Sequence, residues 1–203
     1  MGISFTRAAI ATALFVPALV GLGMQLVQAS SWSSRLLILA LLLLAPEQAH
    51  MAGADLRQIQ SVQRRHPDHR LQAFYRVVWA TIVGQLLGFY LAAVGQFGGG
   101  LVMILGSLIG FNLLAPIRLA PGDEAPIIAC GPQDRIDVLV LNSVAGGLGC
   151  LWWMDLGRFW AAVGILLIAA VYVAAKFKSY YKTWRKSASV SLAHAASAAE
   201  EHP

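Results

Sequence analysis

Six long apolar runs, separated by shorter polar stretches, dominate the hydrophobic pattern of the chain. They cover roughly residues 8–29, 33–50, 73–95, 98–117, 136–154 and 158–176. A helix needs about 20 predominantly apolar residues to cross the hydrocarbon core of a bilayer. The pattern therefore predicts an all-α integral membrane protein with six transmembrane helices.

The polar connections between these runs are of two kinds. Short links join the first run to the second (SSWSSR), the third to the fourth (around QFGGG) and the fifth to the sixth (DLG). Longer loops, at about 51–72 and 118–135, separate the three pairs. We therefore expect three helical hairpins in a single bundle over residues 1–186. The small polar residues 187–203 are expected to form a disordered tail.

Composition and charge support a membrane protein. Hydrophobic residues make up 58% of the chain and charged residues only 12%, against roughly 25% charged residues in soluble domains. Of the 15 lysines and arginines, only Arg35 and Arg158 lie in the short links. This asymmetry predicts that both termini and both longer loops lie on the cytoplasmic side. The net charge of +5 then reflects basic loops, and no nucleic-acid partner is expected.

The N-terminal run also allows a second interpretation. Arg7 and the Val27-Gln28-Ala29 stretch fit a cleaved signal peptide over residues 1–29. The opening Met1-Gly2 stretch fits a myristoylation pattern as well. We retain the first run as a membrane span.

Small residues recur at a spacing of four within three of the runs, which places them on one face of each helix. Such faces let membrane helices approach closely. The expected helix-packing residues are Gly84, Gly88, Gly106, Gly110, Ser143, Gly147 and Gly149. A partner helix, a pigment ring or a lipid tail could also occupy such a face. Gly98 to Gly100 are expected to form the tight turn between two helices.

Polar residues within the runs are few. Gln85, Asn112 and Asn142 are expected to hydrogen bond between helices. Charged residues are expected only at the ends of spans, which argues against an ion pathway.

Catalytic and metal-binding patterns are also lacking. There is no phosphate-binding loop, no nucleophile elbow and no second Glu-x-x-His motif beside Glu47-x-x-His50. No catalytic residue and no metal site are therefore expected. A pigment or a lipid is a possible ligand, and His50 is the one candidate ligand for a pigment magnesium.

Basic and aromatic residues mark the expected membrane surface. Leu56, Ile59 and Val62 recur every three residues among arginines, which predicts a short amphipathic helix on an anionic leaflet. In the GPQDRID stretch, Asp134 is expected near a helix N-cap. The expected surface residues are Arg57, Arg64, Arg65, Arg70, Lys176, Lys178, Lys182 and Trp184.

The stretch FNLLAPIRLAPGDEAPIIACGPQDRIDVLVLN, followed by LWWMDLGRFWAAVG, covers about residues 111–164. It resembles small polytopic membrane proteins of cyanobacteria. The resemblance implies a bacterial plasma or thylakoid membrane and an accessory role near photosynthetic complexes. The sequence thus predicts a non-catalytic accessory, assembly or interaction subunit that contacts other membrane proteins. A small transporter or channel-like protein is the alternative.

Overall fold

The apolar runs form long helices in the computed structural model, which describes residues 2–65, 68–119 and 127–200. Side chains are described for residues 7–65, 68–119, 127–178, 180 and 181. The helices in these residues are α1 (Gly2–Ala13), α2 (Phe15–Gln28), α3 (Trp32–Arg65), α4 (His69–Ala93), α5 (Phe97–Leu114), α6 (Ile136–Trp153) and α7 (Arg158–Glu200). A short 3₁₀ helix, Pro132–Arg135, precedes α6.

Six helical segments within the described residues are long and apolar enough to cross a membrane. They are Arg7–Gln28, Trp32–Arg65, His69–Ala93, Phe97–Leu114, Pro132–Trp153 and Arg158–Lys178. By length and composition, this confirms the prediction of an all-α chain with six helices suited to a membrane. Residues 29–31, 94–96 and 154–157 separate three pairs of these helices.

The first apolar run is divided into α1 and α2 at Leu14. The side chains of Phe15, Ala18 and Leu22 on α2 are fully buried, and α2 packs against both α3 and α4. Removal of this run would expose apolar surface on α3 and α4.

Helix α3 is much longer than the apolar run that predicted it. It continues through Pro46 to Arg65, so most of the loop expected at 51–72 is helix. Leu56 and Ile59 have no exposed surface, and Val62 has only 6%. The expectation of an amphipathic helix lying on a leaflet is therefore wrong, because the apolar stripe packs inside the chain. Periodicity identifies an apolar stripe but cannot distinguish lipid from a neighbouring helix as its partner.

The turn between α4 and α5 differs from the expected one. Helix α4 ends at Ala93 and α5 begins at Phe97, so Gly98 to Gly100 lie in the first turn of α5. The turn is formed instead around Gly95, whose φ of +89° lies in the region that favours glycine.

A small β-ribbon follows α5 and departs from a wholly helical fold. Strands β1 (Ile117–Leu119) and β2 (Ile127–Ala129) pair antiparallel. Asp134 lies directly before Arg135, the N-cap residue of α6, as expected of a residue near a helix start. Its carboxylate accepts a hydrogen bond from the Gly131 backbone N–H at 2.8 Å.

The chain divides into two compact units, Met1–Ala169 and Ala170–Pro203. The second contains the C-terminal part of α7, which extends to Glu200. Most of the tail expected to be disordered is therefore helical, in keeping with its many alanines.

Cys130 and Cys150 are free thiols, so no disulfide joins them.

Candidate functional site

One close helix crossing joins α4 and α5 at Gly88 and Gly100. A Cβ atom added at Gly100 would lie 2.5 Å from the carbonyl oxygen of Gly88. A Cβ atom added at Gly88 would lie 2.6 Å from Cγ1 of Ile104. Only glycine allows the two backbones to approach this closely. Gly88 has the helix-packing role predicted from the sequence, and Gly100 is the partner that the sequence pattern did not assign.

A second close crossing joins α1 and α3. A Cβ atom added at Gly53 would lie 2.7 Å from the Thr12 hydroxyl. This hydroxyl donates to the carbonyl of Ala8 at 3.0 Å and lies 3.3 Å from that of Ala49. This crossing was not predicted, because residues 51–72 were expected to form a loop. The signal was present, since Ala45, Ala49 and Gly53 are spaced by four residues.

The other predicted packing residues divide into inward and outward groups. Added Cβ atoms at Gly84 and Gly149 would lie 2.9 Å from Ser107 and 2.8 Å from Leu101. These two glycines face a neighbouring helix, as expected. The outward group has no such contact, since an added Cβ would meet no described atom within 4 Å at Gly106, Gly110 and Gly147.

The outward group corrects the expectation of packing within this chain. Gly106 and Gly147 are exposed, and so is Ser143. The physical reason is that α4 and α6 pack on other faces of α5, while Ser143 and Gly147 lie on the side of α6 away from α5. Spacing alone could not show which faces the other helices of the chain would leave uncovered.

Helix α6 presents the most open surface of the six candidate spans. Only 17% of the residues in its most apolar stretch are buried, against 56% for α3. Its exposed side carries Ser143, Gly147 and Cys150 among larger aliphatic residues. Small side chains on an exposed apolar helix give a shallow surface that another helix can approach closely.

A buried amide pair links α3 and α4. Nε2 of Gln85 donates to Oε1 of Gln48 at 2.7 Å, and both side chains are buried. The expected interhelical role of Gln85 is thus confirmed. Asn112 instead donates to the carbonyl of Leu108 on its own helix at 2.8 Å, and Asn142 is half-buried.

Glu47, next to Gln48, lies fifteen residues after Trp32, the first residue of the candidate span Trp32–Arg65. Its side chain is only 9% exposed. Gln85 lies ten residues before the turn at Gly95, which corresponds to about 15 Å of helix. In a hydrocarbon core about 30 Å thick, the Gln48–Gln85 pair and Glu47 would lie near the middle. Residue 47 resembled a span end only because the apolar run stops there while the helix continues.

His50, the candidate pigment ligand, lies one turn after Glu47 and is exposed. Its imidazole is accessible from outside the bundle. No group of three or more His, Cys, Asp or Glu side chains that could hold a metal occurs within the described residues. His66 lies outside these residues.

The predicted surface arginines lie at the ends of α3 and α4. Arg57, Arg64, Arg65 and Arg70 are all exposed. Arg70 donates to the Asp68 carboxylate at 2.8 Å. The hydrogen bond from the Arg70 side chain, followed by that from its backbone N–H, lowers the pKa of the Asp68 carboxyl.

The remaining surface prediction concerns α7. Lys178 is exposed, Lys176 is half-buried, and the Lys176 ammonium lies 5.7 Å from the ring centroid of Tyr172. The side chains of Lys182 and Trp184 lie outside those that the structure describes.

Comparison with protein-family models, with curated proteins and with solved structures finds no match for this chain.

Proposed function

We propose that this protein is a non-catalytic accessory subunit of the membrane that associates with other membrane proteins. The observation that carries the proposal is the exposure of small residues on α5 and α6. Gly106, Ser143 and Gly147 are exposed, and added Cβ atoms at both glycines would meet no described atom within 4 Å. The internal crossings at Gly53, Gly88 and Gly100 show how closely this chain packs helices where small residues do meet a partner.

A helix surface that faces only lipid does not need glycine. Lipid tails are as apolar as leucine, so lipid does not require small residues at its boundary. Glycine also has a lower helix propensity than alanine or leucine. Exposed glycines at membrane depth are therefore best explained by a helix from another subunit that approaches the backbone.

The experiment compares three leucine substitutions. Gly106→Leu and Gly147→Leu each fill an outward surface that is open in the chain itself. Gly23→Leu on α2 is the matched control, since its added Cβ would also meet no described atom within 4 Å. Each variant is expressed in the native host, extracted in mild detergent and separated by native electrophoresis.

The expected result is that Gly106→Leu and Gly147→Leu accumulate normally but no longer migrate with a larger complex, while Gly23→Leu does. Migration of all three variants with that complex would contradict association through these faces. So would purification of the parent protein, under the same conditions, without any partner.

The remaining features of the proposal extend the sequence predictions. We place the chain in a bacterial plasma or thylakoid membrane as three helical hairpins, with both termini on the cytoplasmic side. The asymmetry of basic residues supports the orientation. The resemblance over residues 111–164 supports a photosynthetic membrane.

Glu47 favours one second candidate, a small transporter or channel-like protein. Ionisable residues at membrane depth are costly and often mark ion or proton pathways. Glu47 is buried in the bundle and lies next to the buried Gln48–Gln85 pair. A single buried carboxylate also fits a structural role, which is why association remains the first proposal.

A further inference from the structure

A groove on the outside of the bundle runs between α4 and α5 and has a volume of about 340 Å³. Helix α4 lines it with Arg76, Ala80 and Thr81, and α5 lines it with Gly110 and Phe111, among other residues. The Thr81 hydroxyl donates to the carbonyl of Val77 on its own helix at 2.9 Å. The Ser107 hydroxyl, at the far end, likewise donates to Ile104 at 2.7 Å. The walls therefore present a mostly apolar surface.

The ends of the groove lie at different depths. Its Ser107 end is level with Gly84, because an added Cβ at Gly84 would lie 2.9 Å from Cβ of Ser107. Gly84 is next to Gln85, which we placed near the middle of a bilayer. Arg76 lies eight residues away along α4, or about 12 Å. The groove thus extends from the bilayer centre to the depth of the headgroups on the Arg76 side.

The headgroup end of the groove is basic. Arg76 is exposed, and no other described residue forms a hydrogen bond or ion pair with its guanidinium. Arg118, on the strand that follows α5, is exposed as well. The Arg135 guanidinium lies 5.2 Å from the ring centroid of Phe111 and donates to the carbonyl of Ile117 at 2.9 Å. An apolar slot with the Arg76 guanidinium at its mouth complements an anionic headgroup joined to an acyl chain.

We propose that this groove binds an anionic phospholipid of the leaflet on the Arg76 side. One acyl chain lies along Ala80, Gly110 and Phe111, and the phosphate is bound by Arg76. The depth of the groove favours a lipid over a partner helix, because the groove covers one leaflet and a helix would need a surface across the whole bilayer. The site does not depend on the outward surface at Gly106 and Gly147.

The test measures lipid binding to the purified full-length chain in mild detergent. Thermal unfolding is followed with added phosphatidylglycerol, with phosphatidylcholine of the same acyl chains, and with inorganic phosphate. We expect phosphatidylglycerol to raise the melting temperature most and inorganic phosphate to have no effect. A full effect of inorganic phosphate alone, or equal effects of the two lipids, would overturn the proposal.

Two substitutions locate the site. Arg76→Gln should reduce the preference for phosphatidylglycerol by about fivefold, the effect of one arginine near an anionic surface. Arg57→Gln, which removes an exposed arginine outside the groove, is the control and should retain the preference. An unchanged preference in Arg76→Gln, or an equal loss in Arg57→Gln, would refute the assignment.

Gly110→Leu tests the acyl-chain slot separately. An added Cβ at Gly110 would meet no described atom within 4 Å, and the leucine side chain would occupy the groove that Gly110 lines. We expect less co-purified lipid in native mass spectrometry than for the parent and for Gly106→Leu, which changes the same helix outside the groove. Undiminished lipid in Gly110→Leu, or loss of a partner protein instead of lipid, would contradict the proposal.

Discussion

The crossing at Gly88 and Gly100 allows a sharp test of the packing in this bundle. Gly100→Ala would place Cβ 2.5 Å from the Gly88 carbonyl oxygen. The two backbones would have to separate by roughly 1 Å to restore an ordinary contact, and overpacking of this kind costs about 1–3 kcal/mol. Gly99→Ala is the matched control, since its added Cβ would meet no described atom within 4 Å.

The comparison of these two variants isolates the crossing. Both substitutions lie in the first turn of α5, so the gain in helix propensity from glycine to alanine is similar in each. The free energy of unfolding should therefore be lower in Gly100→Ala than in Gly99→Ala by about 1–3 kcal/mol, or about 5- to 150-fold in the unfolding equilibrium. The assay is unfolding in mixed detergent and dodecyl sulfate micelles, followed by circular dichroism.

A double variant tests the mechanism itself. Gly88→Ala meets the same obstacle from the other helix, with 2.7 Å to the Gly100 carbonyl oxygen. Once one substitution has separated the helices, the second should cost little, so the two effects should be less than additive. Equal stability of Gly99→Ala and Gly100→Ala would show that the helices do not cross as closely as the structure indicates.

The remaining predictions concern topology, the buried carboxylate and one helix cap. Reporter fusions at residues 60 and 97 should lie on opposite faces of the membrane, and a shared face would rule out six spans. Glu47→Gln should preserve folding and complex formation if Glu47 is structural, whereas loss of growth with normal accumulation would support transport. Because the pKa of Asp68 is lowered in the folded chain, its charged carboxylate stabilises the fold above about pH 4. This stabilisation is lost as the pH falls. The stability difference between the parent and Asp68→Asn should therefore shrink on acidification, and a constant difference would contradict the Arg70 contact.

Much of the fold could be predicted because helix formation in an apolar run depends on local sequence. The six runs agree with six helical segments of the structure to within a few residues at most ends. The main exception is α3, which continues to Arg65 although its apolar run stops near residue 50. Beyond that point the helix is polar on one side and apolar on the other, so its mean hydropathy falls while its helical pattern persists.

The candidate site was less predictable because it depends on which helices become neighbours. Gln48 was overlooked because residue 47 resembled a boundary, yet it is the hydrogen-bond partner of Gln85 at 2.7 Å. Gly100 was assigned to a turn because three glycines follow one another there. In the structure Gly95 forms the turn, and Gly100 instead allows close contact with α4.

Small residues at a spacing of four therefore occur in two different environments in this chain, either packed against a neighbouring helix or exposed. On α1, α3 and α4 the small residues meet another helix of the same chain, and an added Cβ at Gly53 or Gly88 would lie within 2.7 Å of it. On the exposed side of α6 the same spacing meets no described atom within 4 Å at Gly147. Lipid does not require a glycine at its boundary, so the exposed face at Gly147 is where we propose that a second protein packs.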